Sequence, residues 1–134
     1  MAKAGDSFIV ELSESHVAWG TYRFTNSREP INGEGYIPIP LSDAHRLALF
    51  NGNGTNNVDT WGENLFECES VDGYFRGILR AQGSRFAGDI YAKQFAGDGD
   101  LKALGRWYAQ IGARPGDRVR VSWVNKRKIE IERI

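Results

Sequence analysis

Apolar side chains in this chain recur at every second position, in short runs that end in turn signals. That pattern belongs to strands with one face buried, and it restricts the chain to a fold built mostly from sheet. Ser7-Phe8-Ile9-Val10-Glu11-Leu12 reads as a first strand, apolar enough to be partly buried on both faces. Residues 64–71 and 74–81 read as two strands separated by Asp72-Gly73, a strong hairpin signal. Residues 119–124 alternate, 125–128 turn and 129–132 alternate again, which makes a second hairpin. Residues 88–95 are expected to form a further strand. Tyr36-Ile37-Pro38-Ile39-Pro40 is another, and its two prolines cannot donate to a ladder, so it belongs at an edge.

Two segments follow a helical period instead. Residues 41–50 carry Leu47, Leu49 and Phe50 behind Ser42 or Asp43 as a cap, and the turn formers of residues 51–57 stop them in a loop. Residues 100–111 are the clearest helix. Asp100 caps it, Leu101, Leu104, Tyr108 and Ile111 make its apolar stripe, and Gly112 ends it. Residues 16–24, rich in aromatics, read as a short strand or an extended arm, and 25–35 as a loop. The order is mainly β with two short helices in the connections, an open barrel of α+β make-up.

With 134 residues, the chain is expected to be a single domain over 1–134. One cysteine, Cys68, excludes an internal disulfide. Its neighbours Glu67 and Glu69 disfavour a thiolate, so it reads as a small buried hydrophobe on a strand. No apolar leader and no run of membrane length occurs, and a cytoplasmic location is expected. Net charge is zero, but its distribution is not even. Residues 1–75 hold four Lys/Arg against eleven Asp/Glu, and residues 76–134 hold thirteen against six. Such a chain can fold with a basic face toward phosphate, or with both charge sets solvated and interleaved.

Catalytic patterns are absent from the sequence. His16 and His45 have no metal-ligand spacing, and there is no nucleophile elbow, phosphate loop or dinucleotide fingerprint. Gly33-Glu34-Gly35 is only a fragment of a glycine pattern. A metal nuclease would need a second carboxylate beside Asp89 with Lys93 nearby, and none is adjacent in sequence. No enzyme activity, cofactor or metal is expected.

Two segments are poor in acidic residues while carrying basic, amide and aromatic groups. One holds His16, Trp19, Tyr22, Arg23, Asn26, Ser27 and Arg28. The other holds Gln82, Ser84, Arg85, Tyr91, Lys93 and Gln94, with Asp89 opposed. Arg, Asn and Gln make bidentate contacts to guanine and adenine edges, while Ser and Lys suit phosphates. Arg76 and Arg80, by contrast, read as side chains alternating outward on a strand.

Gly35-Tyr36-Ile37-Pro38-Ile39-Pro40, followed by a short helix, resembles the strand-Ile-Pro-helix opening of B3-type DNA-binding domains. Residues 105–119, from Gly105-Arg106-Trp107-Tyr108 to Pro115-Gly116-Asp117-Arg118-Val119, resemble that family's second helix and its closing Gly-Asp turn into a strand. Over residues 7–133 the chain is similar to the B3-like effector domains of some bacterial restriction endonucleases. The resemblance implies an open pseudobarrel of the seven-stranded type that binds double-stranded DNA. It also implies two arms in the major groove, falling here in residues 16–34 and 82–94. Lys93, Ser84 and Ser27 would then contact phosphates, and Arg23, Asn26, Arg28, Arg85 and Gln94 would read base edges. A separately encoded nuclease is a further implied partner. Two other readings use the aromatics differently: a protein-interaction surface built on Trp19, Tyr22 and Trp61, or a barrel that holds a small ligand or carbohydrate.

Overall fold

The computed structural model describes residues 2–17, 33–52, 59–84 and 89–134. Within them the alternating runs form seven strands: β1 (Ser7–Glu11), β2 (Ile37–Pro38), β3 (Leu65–Ser70), β4 (Arg76–Gln82), β5 (Gln94–Gly97), β6 (Arg118–Trp123) and β7 (Lys128–Arg133). They join into one sheet in the order β1-β6-β7-β3-β4-β5-β2. All neighbours are antiparallel except β3 and β7, which run parallel with Cys68 beside Ile129. β2, with its two prolines nearby, is an edge as expected, and β1 is the other.

The sheet curls until its two edges approach. Phe8 on β1 stacks on Phe95 of β5, centroids 6.5 Å apart, and Phe66 meets both Phe95 and Trp123 edge-on at 5.7 and 5.9 Å. Aromatic pairs prefer these offset and edge-to-face arrangements. Four strands thus send rings into one core, which Leu79, Val121, Ile129 and Ile131 complete. The Arg46 guanidinium donates to the Ser7 carbonyl at 3.0 Å, so a helix side chain satisfies a backbone acceptor on the exposed edge of β1. The result is a mainly β, nearly closed barrel, with three short helices among the described residues.

The helices are α1 (Glu14–Val17), α2 (Leu41–Leu47) and α3 (Ala103–Ile111). α1 is a single turn where sequence allowed a strand or arm from His16. The His16 ring accounts for this locally: its Nδ1 accepts the Ser13 N–H at 3.0 Å, which closes the turn. Burial lowers the His16 pKa, so the neutral ring suits that acceptor role. α2 stops at Leu47, short of Phe50, because Ala48 turns left-handed (φ 54°) and sends Leu49 into the core. Pro40, not Ser42 or Asp43, stands at its N-cap position, and Asp43 binds Arg46 at 2.8 Å instead. α3 starts at Ala103, later than expected, and Asp100 accepts the Lys102 N–H without occupying the cap position. Its buried residues are Leu104, Trp107 and Tyr108, while Leu101 and Ile111 are half-buried. Trp107 was absent from the expected stripe.

The hairpin of β3 and β4 turns through Asp72-Gly73, with Gly73 at φ 82°. Cys68 is buried. Among the described residues no helix is long and apolar enough to cross a membrane.

Candidate nucleic-acid interface

β4 and β5 pair so that Ala81 lies opposite Phe95 and Gln82 opposite Gln94, and β2 continues these rows with Ile37 and Pro38. Successive side chains in a strand point to opposite faces. Ala81, Phe95 and Ile37 are fully buried in the barrel, so Gln82, Gln94 and Pro38 form a row on the other face. Gln94 and Pro38 are half-exposed, while Gln82 is at 9% exposure and presents little of its amide.

The connection of residues 83–93 leaves the barrel at this row. Its neck is tied by reciprocal bonds: the Ser84 N–H donates to the Asp89 carboxylate at 2.7 Å, and the Asp89 N–H to the Ser84 carbonyl at 3.2 Å. Asn51, buried, ties both legs from outside. Its Oδ1 accepts the Gly83 N–H at 2.8 Å and its Nδ2 donates to the Asp89 carbonyl at 3.0 Å. A Cβ on Gly83 would meet Asp89 and Asn51 at 3.1 and 3.2 Å, so the neck favours glycine there. Asn51 had been read as part of a plain loop. A buried amide needs partners, and here it finds them across the neck.

Sequence reading put a strand over residues 88–95. β5 begins only at Gln94, because residues 90–92 run beside residues 49–51 instead: the Asn51 N–H donates to the Ile90 carbonyl and the Ala92 N–H to the Leu49 carbonyl, both at 2.9 Å. Tyr91 is held in this side pairing, stacked on His45 at 3.9 Å and on Phe50 at 5.4 Å. Lys93 is exposed and pairs with Asp89 at 3.3 Å. Asp89 is thereby committed to the neck and to Lys93, and no group of three or more metal-binding side chains occurs among the described residues.

The connection of residues 18–32 has its two roots at α1 and β2. The Tyr36 N–H donates to the His16 carbonyl at 3.0 Å, which joins them. The returning leg is clamped against α3: the Gly35 N–H reaches the Leu101 carbonyl at 3.4 Å, and Tyr108 donates to the Tyr36 carbonyl at 2.6 Å. Glu34 in this leg is fully buried and accepts the Tyr36 hydroxyl. Trp19, Tyr22, Arg23, Asn26, Ser27, Arg28 and, in the other connection, Arg85 lie outside the described residues. The structure therefore brings together Gln82, Ser84, Tyr91, Lys93 and Gln94 around one neck.

Arg80 is no solvated strand cation. It is 16% exposed and donates to Asp59 through two nitrogens at 2.7 and 2.9 Å, to Asp98 at 2.9 Å and to the Gly52 carbonyl at 3.1 Å. It thus ties the segments flanking the neck to β4. Arg76, 86% exposed, does alternate outward. Of the aromatics assigned to an interaction surface, Trp61 is half-buried beneath the Arg127 guanidinium, 4.9 Å from its centroid. A groove of about 620 Å³ between α3 and the start of β4 is lined by Tyr74, Arg76, Ile78 and Trp107 among others, and by none of those aromatics.

The fold and these contacts define the chain as a mainly β, α+β pseudobarrel. No family model, curated protein or solved structure matches it.

Proposed function

We propose that the protein binds double-stranded DNA sequence-specifically, with residues 18–32 and 83–93 as two arms entering the major groove. The observation that carries this reading is the placing of the arms' roots. Tyr36 is bonded to His16 at the root of the first, and Pro38 lies opposite Gln94 at the root of the second. One residue, Ile37, separates Tyr36 from Pro38, so the two lie about 7 Å apart at the usual rise. Two connections rooted so close together would act on the same stretch of a ligand. The major groove, about 12 Å wide, admits such elements and offers the edges that amides and guanidiniums read.

Arg23, Asn26, Arg28, Arg85 and Gln94 read bases in this proposal, and Ser27, Ser84 and Lys93 hold phosphates. The likeness to B3-type domains extends it to the recognition module of a restriction system, acting with a separately encoded nuclease. The test is equilibrium binding to random-sequence duplexes at two salt concentrations, with Arg23→Ala and Arg85→Ala beside the wild type. Binding that weakens with salt and with both substitutions supports the proposal. Absence of binding at low salt refutes it.

A further inference from the structure

We infer that Lys102 is a phosphate contact at the root of the first arm, the counterpart of Lys93 at the second; this rests on the DNA-binding reading. Lys102 precedes α3 and is exposed. Its aliphatic stem lies against Gly33, where an added Cβ would meet it at 3.9 Å, and Gly33 is the first described residue of the returning leg. The leg and the start of α3 form one rigid unit. Gly105 packs so tightly on the Gly33 carbonyl that a Cβ there would stand 1.9 Å from its oxygen. The stem of Lys102 is therefore held beside the described end of the returning leg.

The Asp100 carboxylate receives the Arg106 guanidinium together with the Lys102 backbone N–H, and it feels the charge of Lys102 without forming an ion pair with it. Asp98 is taken by Arg80. Lys102 forms no ion pair with a described residue, whereas Lys93 must leave Asp89 to reach a phosphate.

The two lysines bracket β2. Lys102 sits at Gly33, and the Lys93 carbonyl accepts the Ile39 N–H at 2.8 Å. Six steps of chain lead from Gly33 to Ile39, a separation of at most about 20 Å. That limit leaves room for the two lysines to stand on either side of a groove about 12 Å wide.

Counterion release makes the inference measurable. Each phosphate contact adds about 0.9 to the slope of log affinity against log salt. Affinity for one duplex should be measured from 50 to 200 mM salt in the wild type, Lys102→Ala, Lys102→Arg, Lys93→Ala and Lys128→Ala, the last on β7, which β3 and β4 separate from β5. Lys102→Ala is expected to shallow the slope by about 0.9, so its deficit relative to wild type shrinks about 3.5-fold over that range. Lys102→Arg should keep the wild-type slope, Lys93→Ala should match Lys102→Ala, and Lys128→Ala should change nothing. A wild-type slope in Lys102→Ala, with binding intact, overturns the role of Lys102 alone. A wild type without salt-dependent binding overturns the DNA reading and this inference together.

Discussion

Gln82 and Gln94 stand directly opposite each other across β4 and β5, at the point where the chain leaves the barrel for residues 83–93. Side chains so paired have Cβ atoms about 5 Å apart. Only Gln94 is exposed enough to turn its amide outward. If it reads an adenine edge, Gln94→Ala should weaken binding to the preferred duplex by about 1–3 kcal/mol and relax selectivity at one base pair. Its melting temperature should stay near that of the wild type. Binding to a set of single-position duplex variants checks this, and an equal loss on every duplex would assign Gln94 to the backbone instead.

Arg80 offers a contrasting case, a cation of the basic half that is spent on the fold. Its guanidinium bonds to Asp59 hold that carboxyl below its ordinary pKa. Arg80→Ala leaves Asp98 and the Gly52 carbonyl without their donor. Hydrogen bonds to charged groups are worth about 1.5–3 kcal/mol, so a loss of about 2 kcal/mol in urea unfolding is expected. DNA affinity measured well below the unfolding midpoint should fall less than in Lys93→Ala, since the buried guanidinium offers little to a phosphate.

Gly105 and Gly77 should respond to alanine in opposite ways. In the middle of a helix, Gly→Ala ordinarily gains about 1 kcal/mol. At Gly105 the new methyl would collide with the Gly33 carbonyl, and the Gly35 nitrogen lies only 3.5 Å from the same position. Overpacking of this kind costs about 1–3 kcal/mol or more, so Gly105→Ala should destabilise despite the better propensity. At Gly77 the nearest atom would lie at 3.7 Å, an ordinary contact, and Gly77→Ala should be neutral or slightly stabilising. Denaturant midpoints of the two variants give the comparison.

β1, β3, β4, β6 and β7 were legible in the sequence because alternation and turn residues coincide there. β5 was not. Residues 90–92 and 94–97 are similarly apolar, and only the Asn51 bridge decides which of them joins the main sheet. Both caps were misassigned for a shared reason: Asp43 and Asp100 have the chemistry of caps but are drawn to Arg46 and Arg106. At the interface, composition picked out Gln82 and Gln94 separately, while their opposition depends on a register no local pattern encodes. Asn51, Arg80 and Lys102 act through contacts 18 to 69 positions away in sequence, so nothing in their own segments marks them.

Cys68 tests the closure of the barrel. Burial, then the charges of Glu69 and Glu130, push its thiol pKa far above the ordinary range. A thiol so protected should not react with an alkylating agent at pH 8 until the barrel opens. The labelling rate should therefore follow global unfolding, rising with urea along the same curve as circular dichroism. Fast labelling of the native protein would mean that the β3–β7 wall opens locally.

Asp72 links the first hairpin to α3, and its titration should be visible in stability. The Ser70 hydroxyl, the Tyr74 N–H and the Trp107 indole, the last at 3.0 Å, all donate to its carboxylate. Burial raises its pKa, but these bonds and the charge of Arg133 outweigh it, and the net value lies below the ordinary 3.8. A carboxyl depressed in the folded state stabilises it fully above the unfolded value. That contribution is lost as pH falls below 3.8 through the folded value. Asp72→Asn should thus cost on the order of 1 kcal/mol at pH 7, modest because the site is solvent-screened, and should flatten the fall in stability below pH 4. Urea unfolding of both proteins from pH 7 to pH 2 measures the two curves. They should converge at the acid end, where the wild-type carboxyl is also neutral, and parallel curves would show that Asp72 is not what titrates.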